Sequence, residues 1–222
     1  MASISPIRIA PDLTDQVYQS LLNAICEGAL APGARLTQED LAATLAVSRQ
    51  PVLQALRALK KDGFVVDVGR RGLMVAPVDA GTISQLYEVR AVLDGLAARQ
   101  AAHGKAKIDT AVIADGRKAV RSTKIGVMID ADLRFHSLIY AASGNPLIAQ
   151  SADHHWQHIR RAMGVVLQQA GARDAVWDEH EAILKAINRG DADRAERLAR
   201  RHGDEAGRHL VEQLGRHLRE AS

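Results

Sequence analysis

A chain of 222 residues with 47% hydrophobic content is long enough for two modest domains, and an aromatic content of 3% means that Leu, Ile, Val and Ala must build the cores. A net charge of +3 gives no global field to draw the chain onto a polyanion, so affinity for nucleic acid has to come from a local patch. The single cysteine, Cys26, excludes a disulfide framework and a Cys-x-x-Cys zinc site, and no apolar run approaches the ~18 residues of a membrane span. The first residues, MASISPIRIAPD, have no signal-peptide apolar core, so the reading expects the reducing cytoplasm and no membrane.

In chain order, residues 1–11 read as an arm with Pro6 and Pro11, mobile at its start, in which Arg8 is a weak phosphate candidate. A helix over Leu13–Glu27 follows, with Val17, Leu21 and Ile25 in one row and Leu22 beside it. Gly28, Pro32 and Gly33 end it. Thr37 can N-cap the next helix, with Asp40 as its capping-box partner and Leu41, Leu45 and Val47 as the apolar face. Ser48 can N-cap a third helix whose first turn accepts Pro51, and Val52, Leu56 and Leu59 form its inner stripe. Arg49, Arg57, Lys60 and Lys61 remain outside, with no acidic residue between Ser48 and Lys61. Gly63 stops this helix, and strands at residues 64–66 and 73–75 are joined through Gly69-Arg70-Arg71-Gly72. That order is a winged helix-turn-helix, with a second helix suited to the major groove and a basic wing. The candidate DNA contacts are Arg35, Thr37, Ser48, Arg49, Gln50, Pro51, Gln54, Arg70, Arg71 and Gly72.

The stretch PGARLTQEDLAATLAVSRQPVLQALRALKKDGFVV, completed by GRRGLMV, resembles the N-terminal domain of GntR-type bacterial transcription regulators over residues 10–77. Two departures stand out. Many members have Arg-Glu where this chain has Leu53-Gln54, and some have arginine where it has Glu39. A guanidinium is thereby lost, so the family's usual operator is not implied.

Pro77-Val78-Asp79 reads as the domain boundary, with a second domain over 80–218. There the periodicity predicts helices and no strand. Ser84–His103 has Leu86, Val89, Leu93 and Leu96 inward, and Ile108–Arg121 is weaker. Others run from Val127 to Ala142, from Pro146 to about Gln169, from about Ala172 (after Gly171) to Asn188, and from an Asp191 N-cap to about Leu218. The fold class is therefore mainly α: a winged helix-turn-helix followed by an all-helical bundle of about six helices.

All nine histidines lie beyond residue 102. Asp132 and His136, four apart, project from one helix face, while His180 and His202 each fall in an apolar row of a different helix. Polar side chains from three helices thus face one interior. Periodicity alone leaves two accounts: a shared divalent ion, or buried histidines satisfied by hydrogen bonds. Three His and one Asp suit Zn²⁺, with Ni²⁺ or Mn²⁺ as further candidates. His154, His155 and His158 read as surface or packing, and His209 as a weaker ligand. Arg90, in the row Leu86–Arg90–Asp94, either pairs with Asp94 or reaches into a cavity to hold an effector carboxylate, with Arg160 and Arg161 as further cavity candidates.

DLRFHSLIYAASGNP and EHEAILKAINRGDADRAERLARRH resemble the FCD domain of FadR-type members of the same regulator family, and LYEVRAVLDGLAARQAA resembles that domain's first helix, with Asp94 where Glu is usual. The resemblance implies that Asp132, His136, His180 and His202 are metal ligands. It further implies a homodimeric DNA-binding regulator, a repressor in the preferred reading, controlled by a small organic or sugar acid at the metal. A metal-dependent hydrolase and a constitutive DNA-binding protein with a purely structural metal are the rivals.

Overall fold

The structure, a computed structural model, describes residues 13–69, 72–122, 124–167 and 174–220. The N-terminal arm with Arg8, the wing residues Arg70 and Arg71, and the break at Gly171 lie outside these. The chain divides into two compact units, one up to Pro77 and one from Val78.

The first unit comprises α1 (Leu13–Cys26), β1 (Arg35–Leu36), α2 (Gln38–Leu45), α3 (Arg49–Lys61), β2 (Val65–Val68) and β3 (Gly72–Val75). Thr37 caps α2 as its sequence suggests, its hydroxyl accepting from Asp40 N at 3.1 Å and donating to the Asp40 carboxylate at 2.6 Å. Ala46 then takes a left-handed conformation, φ 53, which turns the chain sharply into α3. Ser48 occupies the N-cap of α3, but its side chain makes no capping hydrogen bond. Val17, Leu21, Leu22 and Ile25 of α1 bury against Val52, Leu56 and Leu59 of α3 and against Phe64. The sheet has the order β1-β3-β2, antiparallel throughout. β1, which periodicity cannot register in two residues, is held by Gly33 N donating to Val75 O and Val75 N donating to Ala34 O.

The second unit has six helices among the described residues: α4 (Ala80–His103), α5 (Ala111–Val120), α6 (Ile125–Ala142), α7 (Pro146–Leu167), α8 (Asp174–Arg189) and α9 (Ala192–Glu220). α4 begins four residues before the expected Ser84, because Asp79 caps it by accepting from Thr82 N at 2.7 Å. Its inner face also differs from expectation. Val89 and Leu96 are exposed, and Ile83, Tyr87, Ala91, Ala97, Ala98 and Ala101 are buried instead. The cause is on α9. A Cβ added at Gly203 would come within 2.9 Å of Ala91 Cα, and one at Gly207 within 2.6 Å of Tyr87 Cβ. Where Gly203 meets Ala91 the two backbones approach so closely that only a small residue fits, so alanines take much of the inner face, with Leu86 and Leu93 partly buried beside them. No helix among the described residues is long and apolar enough to cross a membrane.

Candidate functional site

α6, α8 and α9 bring His136, His180 and His202 together, each buried, with one ring nitrogen apiece within 4.8 Å of the others. His180 Nε2 lies 3.1 Å from His202 Nε2, and Asp132 Oδ1 stands 3.6 Å from His180 Nε2 at the less buried edge. The rings are held from behind. His202 Nδ1 donates to Glu179 Oε2 at 2.7 Å, which fixes the tautomer so that the Nε2 lone pair faces His180. His136 Nδ1 lies 3.5 Å from Asp94 Oδ2. Phe135 stacks on His180 with ring centroids 4.0 Å apart, and Trp177 meets it edge-on at 4.7 Å. His180 Nδ1 is buried with no hydrogen-bond partner.

Burial, reinforced by His202, His136 and Arg90, pushes His180 well below the ordinary histidine pKa. His136 is lowered by burial and by Arg90, against the opposing pull of Asp94 and Asp132. Both rings are therefore neutral at pH 7, the form that ligates. Burial alone would raise the Asp94 carboxyl, but His136, the Arg90 guanidinium and the Tyr140 hydroxyl outweigh it and hold Asp94 well below the usual carboxylate range.

Arg90 pairs with Asp94 and also reaches the wall of a cavity. Its Nε sits 3.3 Å from Asp94 Oδ2, and its Nη2 donates to His136 Nε2 at 2.8 Å and lies 3.8 Å from Asp132 Oδ2. The guanidinium lies over the Trp156 ring at 4.1 Å. It also lines a cavity of about 450 Å³, walled further by Asp132, Glu179, His202, Glu205 and His209. Arg160 and Arg161 are not among its lining residues. His209 is, although it stands apart from the three clustered histidines. Sequence reasoning missed Glu179 as a support for His202. The only signal was its place beside His180.

In the first unit, Ser48, Arg49, Gln50, Gln54, Arg35, Thr37 and Gly72 are exposed. Pro51 is buried in the first turn of α3, because its ring packs inward, and so is unavailable to DNA. Gln54 accepts a long hydrogen bond from Thr14 at 3.4 Å, and Arg49 pairs with Glu39 across the turn at 3.0 Å.

A profile of the FCD domain matches residues 85–205, and one of the bacterial regulatory proteins of the gntR family matches residues 13–75. The chain is 29% identical over 168 residues to the Nta operon transcriptional regulator of Aminobacter aminovorans, covering 74% of this chain and 77% of that one. It is 26% identical over 185 residues to the gluconate operon transcriptional repressor of Bacillus licheniformis, covering 76% and 73%. Its fold is like that of E. coli McbR/YncC, with a TM-score of 0.76, 20% identity, and 92% and 99% of the two chains covered. The two named relatives are a transcriptional regulator and a transcriptional repressor, and the family matched over residues 13–75 is one of regulatory proteins, which speaks against the hydrolase.

Proposed function

The chain belongs to the GntR family of bacterial regulators that carry an FCD domain, DNA-binding proteins of transcription control, and on that premise we propose a cytoplasmic, homodimeric repressor whose operator affinity is set by a small organic or sugar acid at a divalent metal. The observation that supports it best is the convergence of three buried imidazoles from three helices beside a cavity with a buried guanidinium. Ligand nitrogens around an ion at ~2.0–2.1 Å sit roughly 3–3.5 Å apart, so a modest side-chain adjustment closes the set. The buried, closely set ring nitrogens and the outward support from Glu179 fit a metal centre. Asp132, His136, His180 and His202 would hold Zn²⁺, with Ni²⁺ or Mn²⁺ as alternatives, and the ion would supply Lewis acidity towards a carboxylate oxygen.

His136 Nε2 cannot accept from Arg90 and ligate at once. Arg90 therefore gives up that contact and turns towards the cavity, where Asp132 already attracts it. There it pairs with the acid. An acid that prefers one arrangement of the paired winged units shifts that population, and operator affinity changes by linkage. The test is fluorescence anisotropy on promoter DNA adjoining the chain's own gene, with organic and sugar acids titrated onto the metal-loaded protein. An affinity that responds to none of them overturns the acid-controlled reading.

At the DNA, Arg49→Ala should weaken operator binding by ~1–3 kcal/mol, the worth of a good bidentate base contact. Glu39→Gln should raise affinity for unrelated DNA, since it frees Arg49 from its partner. Equal binding of operator by wild type and Arg49→Ala would displace α3 from the groove.

A winged unit reads one half-site, so two copies are expected on a pseudo-palindrome. α4 leaves Val89, Val92 and Leu96 exposed at helical spacing, the side of this helix turned away from α9. Val92→Glu should shift the protein from dimer to monomer in sedimentation equilibrium. A wild-type protein that is already monomeric, free and on DNA, would remove the dimer from the proposal.

A further inference from the structure

Three carboxylates stand on the cavity wall: Asp132, Glu179 and Glu205. Among the described lining residues the guanidinium of Arg90 is the only group that carries a fixed positive charge, and Asp94 meets that charge from behind at 3.3 Å. Glu179 is engaged by His202 Nδ1. Glu205 is engaged only weakly. Its ion pair is with Arg201, one turn back on α9, at 3.9 Å, and both side chains are well exposed, at 44% and 63%. Water screens such a pair almost completely. His209, one turn further on, lines the same wall.

The wall therefore offers many acceptors and few cations. A divalent ion at the histidines and Arg90 would together only balance the three carboxylates, and Asp94 behind Arg90 leaves the set net negative. A ligand that spends one carboxylate on the metal and Arg90 meets Glu205 with its other end. A second carboxylate there would face a like charge, with no cation besides Arg90 among the described lining residues. An ammonium would find an acceptor of opposite charge, and a hydroxyl would find an acceptor without the repulsion.

Resting on the effector-site reading above, we infer that the ligand is a monocarboxylate whose far end carries hydrogen-bond donors, ammonium before hydroxyl, and that Glu205 selects it against di- and tricarboxylic acids. Glu205 is thus a specificity-determining residue. It lies on the exposed side of α9, so its replacement leaves the core intact.

A matched five-carbon series tests this: pentanoate, its terminal hydroxy and amino derivatives, and glutarate. Their binding to the full zinc-loaded chain is measured by titration calorimetry, alongside Glu205→Gln, Glu205→Lys and His202→Ala, with a thermal melt of each variant to check folding. The expected order is amino, hydroxy, pentanoate, glutarate, with about three- to tenfold between the ends, as suits a half-exposed charge. Glu205→Gln should flatten the order, and Glu205→Lys should reverse it in favour of glutarate. If the acids bind and His202→Ala abolishes binding, but glutarate is the tightest or the order is unmoved in Glu205→Lys, Glu205 is not the selector and this inference alone falls. If none of the four acids binds the zinc-loaded chain, the effector-site reading and this inference fall together.

Discussion

Replacing His202 by alanine is expected to empty the protein of bound metal and to abolish its thermal response to added Zn²⁺. Of the proposed ligands His202 has the most firmly set orientation, since Glu179 accepts from Nδ1 at 2.7 Å and leaves Nε2 beside His180. Removing it leaves His136 and His180 with Asp132, one imidazole short. A ligand binding only the folded state at a hundred times its dissociation constant stabilises by about 2.7 kcal/mol, roughly 5–10 °C in a chain of this size. The wild type should gain that shift with Zn²⁺ and His202→Ala should not. Glu179→Gln should fall between them, with metal affinity reduced about 10–100-fold, as when other ligand-orienting carboxylates are lost. Elemental analysis of protein purified without chelator or affinity tag is the direct measurement. Suppose the wild type carries no stoichiometric metal, and neither Zn²⁺, Ni²⁺ nor Mn²⁺ binds or raises its melting temperature. The histidines are then a hydrogen-bonded core, satisfied by Arg90, Glu179 and each other.

The second large effect is expected far from any ligand in sequence, at Gly116 on α5. A Cβ there would fall against the indole ring of Trp177, much closer than packing allows. Trp177 is buried and has His180 at its edge, 4.7 Å between centroids. Gly116→Ala gains about 1 kcal/mol of helix propensity. Against that, overpacking costs ~1–3 kcal/mol or more, because the ring cannot move without shifting His180. The melting temperature of the metal-free protein should fall, and metal affinity should fall at least about tenfold. A variant with wild-type stability and metal content would mean that Trp177 yields freely and does not position His180.

What was legible in the sequence was whatever a few neighbouring residues decide. Thr37 with Asp40, Gly63, Pro146 and Asp191 punctuate the helices where local chemistry puts caps and stops, and all act in the structure within a residue or two of their expected places. The i,i+4 spacing placed Asp132 and His136 on one face, and the apolar rows of α8 and α9 pointed His180 and His202 inward. What was hidden depends on another element. Much of the inner face of α4 is set by the glycines of α9, more than a hundred residues later, so ranking leucine above alanine placed Leu86 and Leu93 at the core but wrongly turned Val89 and Leu96 inward. The Tyr140–Asp94 and Arg90–His136 contacts likewise join α4 to α6, and no spacing within one helix encodes them. β1 has only two residues and owes its existence to the neighbouring strand.

The close seating of α9 on α4 has a mechanical consequence. Between Gly203 and Ala91 there is no side chain longer than a methyl, so backbone stands almost directly against backbone. Sliding one helix along the other would meet hard contact there. His202 precedes Gly203 by one residue on α9, and Arg90 precedes Ala91 by one on α4. His202 and Arg90, both on the cavity wall, thus flank the contact from its two sides. α4 is also the first helix after Pro77, starting at Ala80 under its Asp79 cap. The helix that carries His202 is thus seated directly on the helix whose first turn follows the winged unit in the chain.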